Sequence, residues 1–99
     1  MAKKLPPVHP GEVLREDFLT PLSLTPYAVA RACGVPRTRI ERLVREETAM
    51  TADTALRLAR LFGTTPAFWM GIQDQHDLER AEDAISAELR KIKPLPSAA

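Results

Sequence analysis

A short basic segment near the middle of the chain carries the side chains best suited to recognise a nucleic acid. The candidates on its polar face are Arg37, Thr38, Arg39, Arg42 and Arg45. Helical spacing directs them away from the apolar residues of the same segment. Positions 31 to 45 contain five arginines and one glutamate, a local net charge of +4 in a protein whose formal net charge is +1. Because a guanidinium can bond the edge of a guanine through two hydrogen bonds, this pattern favours DNA reading.

Position along the helix separates these side chains by role. Recognition helices present their N-terminal residues to base edges in the major groove, so we assign base reading to Arg37, Thr38 and Arg39. Arg42 is assigned to either a base or a phosphate, and Arg45 to a phosphate.

The segment that precedes this helix completes a helix-turn-helix pattern, with Thr25 to Arg45 as the reading unit. Ala30 is small where two short helices would cross, and Gly34 lies in the turn, where a positive φ is needed. Thr25 and Tyr27, at the start of the first helix, are predicted to offer a hydroxyl and backbone N–H groups to a phosphate.

The alternative interpretation is a solvated helix face whose arginines form ion pairs with Glu41 and Glu46. The turn pattern makes this alternative the weaker one.

Proline placement predicts the elements that hold this unit, because proline suits the first position of a helix. Four of the nine prolines can be placed so: Pro10, Pro26, Pro36 and Pro66. Helices are predicted over 10–19, 26–32, 36–44, 51–62 and 66–92. Pro21 is expected to end the first helix and Gly63 the fourth. The prediction is an all-α, five-helix domain over 9–92, with flexible tails at 1–8 and 93–99.

The sequence gives little support for disulfide formation, metal binding or catalysis. Cys33 is the single cysteine, so no intrachain disulfide can form, and we expect it to be a small buried residue. Phe68 and Trp69 are expected to fill the core. His76 stands among acidic residues, but its neighbours do not have metal-ligand spacing. We therefore expect no enzyme, no metal and no cofactor. Without a secretory signal or a membrane-length apolar run, the expected location is the cytoplasm.

Three stretches carry a resemblance to a known group. HPGEVLREDFLTPL, ACGVPRTRIERLV and TADTALRLARLFGTTPAFWMGIQ together resemble the HigA/VapI antitoxins among the XRE-type regulators, over about 9–81. The resemblance implies a lambda-repressor-like DNA-binding domain that forms a homodimer and binds palindromic double-stranded operator DNA in its own promoter. It also implies that a small RNase toxin, a HigB-like enzyme that cleaves mRNA, is a partner. A stand-alone repressor and a module devoted mainly to toxin neutralisation remain alternatives.

Two parts of the chain extend or depart from that resemblance. Glu46 and Glu47 stand where related proteins often have a basic loop, which predicts an altered docking angle or weaker non-specific DNA binding. At the end of the last helix, apolar residues continue at three- and four-residue steps beyond what a small core can cover. We expect this end to contribute to a dimer interface or to toxin contact.

Overall fold

Five helices joined by short turns make up the computed structural model, which describes residues 5–96. Helix α1 consists of the consecutive segments Pro10–Val13, Leu14–Leu19 and Thr20–Leu22. The others are α2, Pro26–Cys33; α3, Arg37–Val44; α4, Ala52–Phe62; and α5, Pro66–Arg90. The predicted all-α, five-helix architecture is confirmed. The predictions for 1–4 and 97–99 lie outside the described residues.

Helix α1 is longer than predicted, since it continues through Pro21 and ends at Leu22. Its middle segment, Leu14–Leu19, is π-helical, and the Thr20 N–H donates to the carbonyl of Arg15. A new α-helical turn starts after this wider one, which puts Pro21 in a first turn, where proline is tolerated. The helix ends where Ser23 takes a left-handed conformation with φ of 53°.

Threonine side chains cap the N-termini of three of the other four helices. The hydroxyls of Thr25, Thr51 and Thr65 each accept a hydrogen bond from the backbone N–H three residues later. Pro36 departs from its predicted place, because it is the N-cap of α3 and not its first helical residue. Its ψ of 144° is extended, so the helix begins one residue later.

The core lies where all five helices meet. Its fully buried large side chains include Leu14, Val29, Ile40, Leu43, Leu58 and Trp69. The periodicity of the sequence correctly predicted these inward faces. The indole N–H of Trp69 donates to the Thr64 hydroxyl at 2.8 Å, so its one polar group is satisfied.

Phe68 was wrongly predicted to fill the core, since 41% of its surface is exposed. Trp69 points inward, and its helical neighbour must therefore point elsewhere. The Phe68 ring packs edge-on against Trp69, with the ring centroids 5.0 Å apart. Cys33 is half-buried against the core, and burial raises the pKa of its thiol.

The start of α1 lies directly against the end of α3. A Cβ added to Gly11 would overlap the carbonyl oxygen of Leu43, so only glycine permits this approach. His9 caps α1, with its Nδ1 accepting from the Gly11 N–H at 2.9 Å. The backbone of Thr48, in the loop after α3, acts to raise the pKa of this imidazole, against the larger lowering by burial. The start of α1 thus packs directly on the end of the basic helix.

Helix α5 leaves the core about halfway along its length. Trp69 and Gln73 are buried, whereas every residue from 81 to 96 is exposed. The backbone deviates from helical geometry at Ile85, where φ is −118° and ψ is 21°. The molecule is elongated as a result, with extents of 52 × 32 × 21 Å. Across residues 5–96, no helix combines the length and apolar character needed to cross a bilayer.

Candidate nucleic-acid interface

Helices α2 and α3 meet in the predicted helix-turn-helix arrangement. Ala30 is only 2% exposed, and its carbonyl accepts a hydrogen bond from the Val35 N–H at 3.0 Å. Gly34 has φ of 70°, as expected for the turn. Ile40, Leu43 and Val44 point inward, so the basic side of α3 faces outward.

All of the residues predicted to contact DNA are exposed, but only some of them share one depression. Those lining an open groove of about 430 Å³ between α3 and the start of α4 are Thr38, Arg39 and Arg42. Those outside its lining are Thr25, Tyr27, Arg37 and Arg45. The structure therefore groups Arg42 with two of the predicted base readers and separates Arg37 from them.

Arg39 belongs to a charged cluster that the sequence did not reveal. Its Nη1 donates to Asp53 Oδ1 at 2.7 Å, and the same oxygen accepts from Arg57 Nε at 2.8 Å. Hydrogen bonds from Arg57 and then from Arg39 lower the pKa of the Asp53 carboxyl. Arg57 also donates to the carbonyl of Cys33, at the end of α2, at 2.7 Å.

The other arginines of α3 are held less closely. Arg37 Nε lies 3.4 Å from Glu41 Oε2, one helical turn away, which is one of the ion pairs of the alternative interpretation. Arg42 Nε lies 4.0 Å from Glu47 Oε1. Arg45 has no ion pair within residues 5–96. Exposed pairs of this kind contribute about 0–1 kcal/mol, so these guanidinium groups can exchange partners at little cost.

Glu46 does not pair with the basic helix as the alternative interpretation required. The residue takes a left-handed conformation with φ of 62°, and its Oε2 lies 3.2 Å from Arg15 Nη2. Arg15 also donates to the carbonyl of Val44, at the end of α3. Of the two acidic residues in this loop, Glu47 alone has its carboxylate near an arginine of α3.

Gln73 holds the same loop from the side of α5. Its Oε1 accepts from the Met50 N–H at 2.6 Å, and its Nε2 donates to Asp77 Oδ1 at 2.9 Å. Gln73 is 5% exposed, and both ends of its buried amide are hydrogen-bonded. The loop after the basic helix is thereby tied to both α1 and α5.

The start of α2 presents two hydroxyls. Thr25 Oγ1 accepts from the Ala28 N–H at 3.1 Å, which leaves its hydroxyl proton free to donate. Tyr27 is 52% exposed, and Arg31 Nη1 donates to its hydroxyl at 3.4 Å. Both groups suit the predicted contact with a phosphate.

Sequence reasoning missed Asp53 and Arg57 on this surface and the buried Gln73 beneath it. The four-residue spacing of Asp53 and Arg57 on one helix was a readable signal of an ion pair. Their link to Arg39 was not readable, because it joins separate helices.

The two histidines lie together, which the sequence did not indicate. The rings of His9 and His76 stand at 78° with their centroids 5.0 Å apart. Burial, and then the proximity of His76, lower the pKa of His9. Within residues 5–96, no group of three or more metal-ligating side chains is gathered in one place.

Comparison with known proteins gives matches over most of the chain. The helix-turn-helix family profile matches residues 14–69. Virulence-associated protein I of Dichelobacter nodosus is 47% identical over 79 residues, which cover 80% of this chain and 73% of that protein. Antitoxin HigA-1 of Vibrio cholerae serotype O1 is 38% identical over 89 residues, 90% of this chain and 84% of the antitoxin.

Solved structures that include DNA also match. The Pseudomonas aeruginosa antitoxin HigA with the higBA promoter has a TM-score of 0.85 at 40% identity, covering 90% of this chain and 98% of its own. Antitoxin GraA in complex with its operator has a TM-score of 0.86 at 36% identity, covering 98% and 99%. These similarities confirm the lambda-repressor-like fold and the resemblance to HigA-type proteins.

Proposed function

The chain belongs to the helix-turn-helix family, and we propose that it is a HigA-type antitoxin that binds operator DNA and represses its own operon. The observation that carries this proposal is the exposed basic face of α3 on a helix-turn-helix scaffold. Similar antitoxins, solved with a promoter or an operator, match that scaffold over almost the whole chain. The function is therefore that of a DNA-binding regulator and not of an enzyme.

Base reading is assigned to the groove-lining residues of α3 together with Arg37. The helix enters a major groove, where Arg37, Thr38 and Arg39 face base edges. Arg42 lies on the same groove, which favours a base contact over a phosphate contact. On binding, Arg37 and Arg42 exchange their solvent-exposed carboxylate partners for guanine edges or phosphates.

Phosphate contacts surround this helix and set its orientation. Arg45, at the end of α3, supplies a positive charge, and Thr25 and Tyr27 supply hydroxyls at the start of α2. Glu47 lies near Arg42 and opposes phosphate approach, whereas Glu46 is engaged with Arg15. Glu47→Gln therefore removes the repulsion of phosphate without breaking the ion pair of Glu46 with Arg15.

A palindromic operator requires two copies of the chain, with their α3 helices ~34 Å apart, one turn of DNA. We assign the exposed end of α5 to the contact between these copies. The apolar residues of this end and of the segment that follows it are at least 40% exposed: Leu78, Ile85, Leu89, Ile92 and Leu95. A chain shortened after Ala81 should lose the dimer mass in light scattering. An unchanged mass would exclude this surface as the dimer contact.

The finer part of the proposal concerns a toxin partner. We infer that the chain neutralises a small RNase toxin in the cytoplasm, encoded beside its own gene. Co-expression and co-purification with the product of the adjacent reading frame tests this inference. If that product does not bind, the stand-alone repressor is the correct interpretation. The proposal that the chain binds operator DNA does not depend on this result.

Gel shifts on the chain's own promoter and on random DNA test the division of roles. Arg39→Ala should weaken operator binding by about 1–3 kcal/mol, with a smaller loss on random DNA, because Arg39 reads a base. Arg45→Ala should weaken binding to both DNAs and reduce the salt dependence of binding. If both variants lose the same affinity on every sequence, the assignment of base reading to Arg39 is wrong.

A further inference from the structure

The Asp53 carboxylate connects the predicted base reader Arg39 to the rigid part of the domain. One of its oxygens, Oδ1, accepts hydrogen bonds from Arg39 at 2.7 Å and from Arg57 at 2.8 Å. Asp53 lies in the first turn of α4, two residues after the cap residue Thr51. Its backbone position is therefore fixed by a capped helix.

Arg57 extends this connection to a third helix. While its Nε holds Asp53, its Nη1 donates to the Cys33 carbonyl at 2.7 Å, at the end of α2. The side chains thus form a continuous series from α2, through α4, to Arg39 on α3. Asp53 therefore cannot shift without disturbing contacts on two other elements.

The hydrogen bond to Asp53 uses only part of the Arg39 guanidinium. A guanidinium carries more N–H donors than one carboxylate oxygen can accept, and the remaining donors can bond the O6 and N7 of a guanine. Arg39 is 42% exposed by side chain and lines the groove beside α3. Asp53 thus holds one N–H group of the Arg39 guanidinium, and the other N–H groups remain available to a base.

We propose that Asp53 is a positioning residue for DNA recognition: it holds Arg39 in the rotamer that reads a guanine. This inference rests on the proposed function, since it needs α3 to read DNA. An arginine ordered before binding loses less conformational freedom when it meets the base. The benefit appears as selectivity, because the same carboxylate repels phosphates and cannot raise affinity for DNA in general.

Selection of binding sites from a random duplex library measures this selectivity at each base. The proteins compared are the full-length wild type, Arg39→Ala, Asp53→Asn and the double variant. Arg39→Ala should lose the preference for one guanine in each half-site. Asp53→Asn should weaken the preference for that same guanine about 3- to 10-fold, the effect of one freed side chain. The double variant should match Arg39→Ala.

Two further variants act as controls. Glu47→Gln also removes a negative charge near α3, but its 4.0 Å approach to Arg42 is too long for a hydrogen bond, so all base preferences should stay as in the wild type. Arg57→Gln leaves Asp53 in place without its brace, and should weaken the same guanine preference by less than Asp53→Asn does. Thermal melting of each protein verifies that the fold is kept.

Three results would overturn the proposal. Asp53→Asn could keep the wild-type base preferences while binding all DNA more tightly, which would make Asp53 a source of repulsion only. Asp53→Asn could weaken the base preference equally at all positions of the site. It could also weaken that preference as strongly in a protein that already carries Arg39→Ala. A wild type that selects no sequence would reject the proposed function itself, which distinguishes that failure from failure of the Asp53 inference.

Discussion

Helix α5 runs through two regions of contrasting character, a packed domain and an exposed extension. In the first, Trp69 is fully buried and Gln73 bonds the loop after α3. In the second, every residue from 81 to 96 is exposed, although apolar residues recur at helical spacing in both. An amphipathic pattern thus reports that a face can be buried, but not that the same domain buries it.

The energetics of the two regions must therefore differ. The packed part gains from burial of large side chains, at roughly 1.5–3 kcal/mol for each one fully buried. The extension gains little from its own domain, since Ile92 and Leu95 remain 68% and 76% exposed. Helices without tertiary packing are marginal in water, so we expect the extension to gain stability from a partner surface.

The largest effect is expected inside the packed domain, where two glycines differ in what surrounds them. Gly11→Ala places a methyl group against the backbone carbonyl of Leu43, which cannot move without shifting α3. We expect a loss of about 3 kcal/mol in the free energy of unfolding, measured by urea denaturation.

The matched control is Gly71→Ala in α5, where a Cβ would meet nothing within 4 Å. This change should stabilise the protein by about 0.5–1 kcal/mol, because alanine favours a helix over glycine. Similar effects at both positions would show that the contact of α1 with α3 does not hold the domain together.

A smaller effect is expected from pH at the same contact. Burial and His76 lower the pKa of His9 below the ordinary value of 6.5, while Glu46 and Asp77 oppose that shift. The folded state therefore binds the proton less readily than the unfolded state. The free energy of unfolding should fall as the pH drops below about 6.5, and level off below the folded-state pKa.

His9→Asn isolates this contribution, because asparagine caps a helix without titrating in this range. The difference in unfolding free energy between wild type and variant should be constant above about pH 6.5 and should change as the pH falls below it. A difference that stays constant from pH 5 to pH 8 would contradict the role given to His9.

The smallest effect on domain stability is expected in the extension. Leu89→Ser combined with Ile92→Ser should change the unfolding free energy by less than ~0.5 kcal/mol at concentrations where the chain is monomeric, since both residues are exposed. The same variant should weaken the proposed dimer, measured by analytical ultracentrifugation. A large loss of monomer stability would mean that the extension packs on its own domain.

Much of the fold was predictable because its signals are local. Thr25, Thr51 and Thr65 cap helices through bonds to residues three positions away, and Gly34 and Gly63 take the positive φ that their turns require. The local rule that proline ends a helix failed at one position because of the structure next to it. Pro21 did not end α1, because a π-helical segment placed it in a new first turn.

The candidate interface was predictable only in part. The exposed basic face of α3 follows from charge and helical period. The sequence does not show which residues of this face line the groove, because the opposite wall of the groove comes from α4. Phe68 and Trp69 are adjacent and both aromatic, and only packing decided which of them enters the core.

The sequence by itself thus determined the helices, their caps, the inward faces and the basic segment that can face DNA. Each of these depends on residues within about one helical turn of one another. Only the tertiary structure decided that Asp53 and Arg57 hold Arg39, that His9 meets His76, and that the end of α5 remains uncovered. Those features join residues far apart in the chain, and their geometry exists only once the helices have packed.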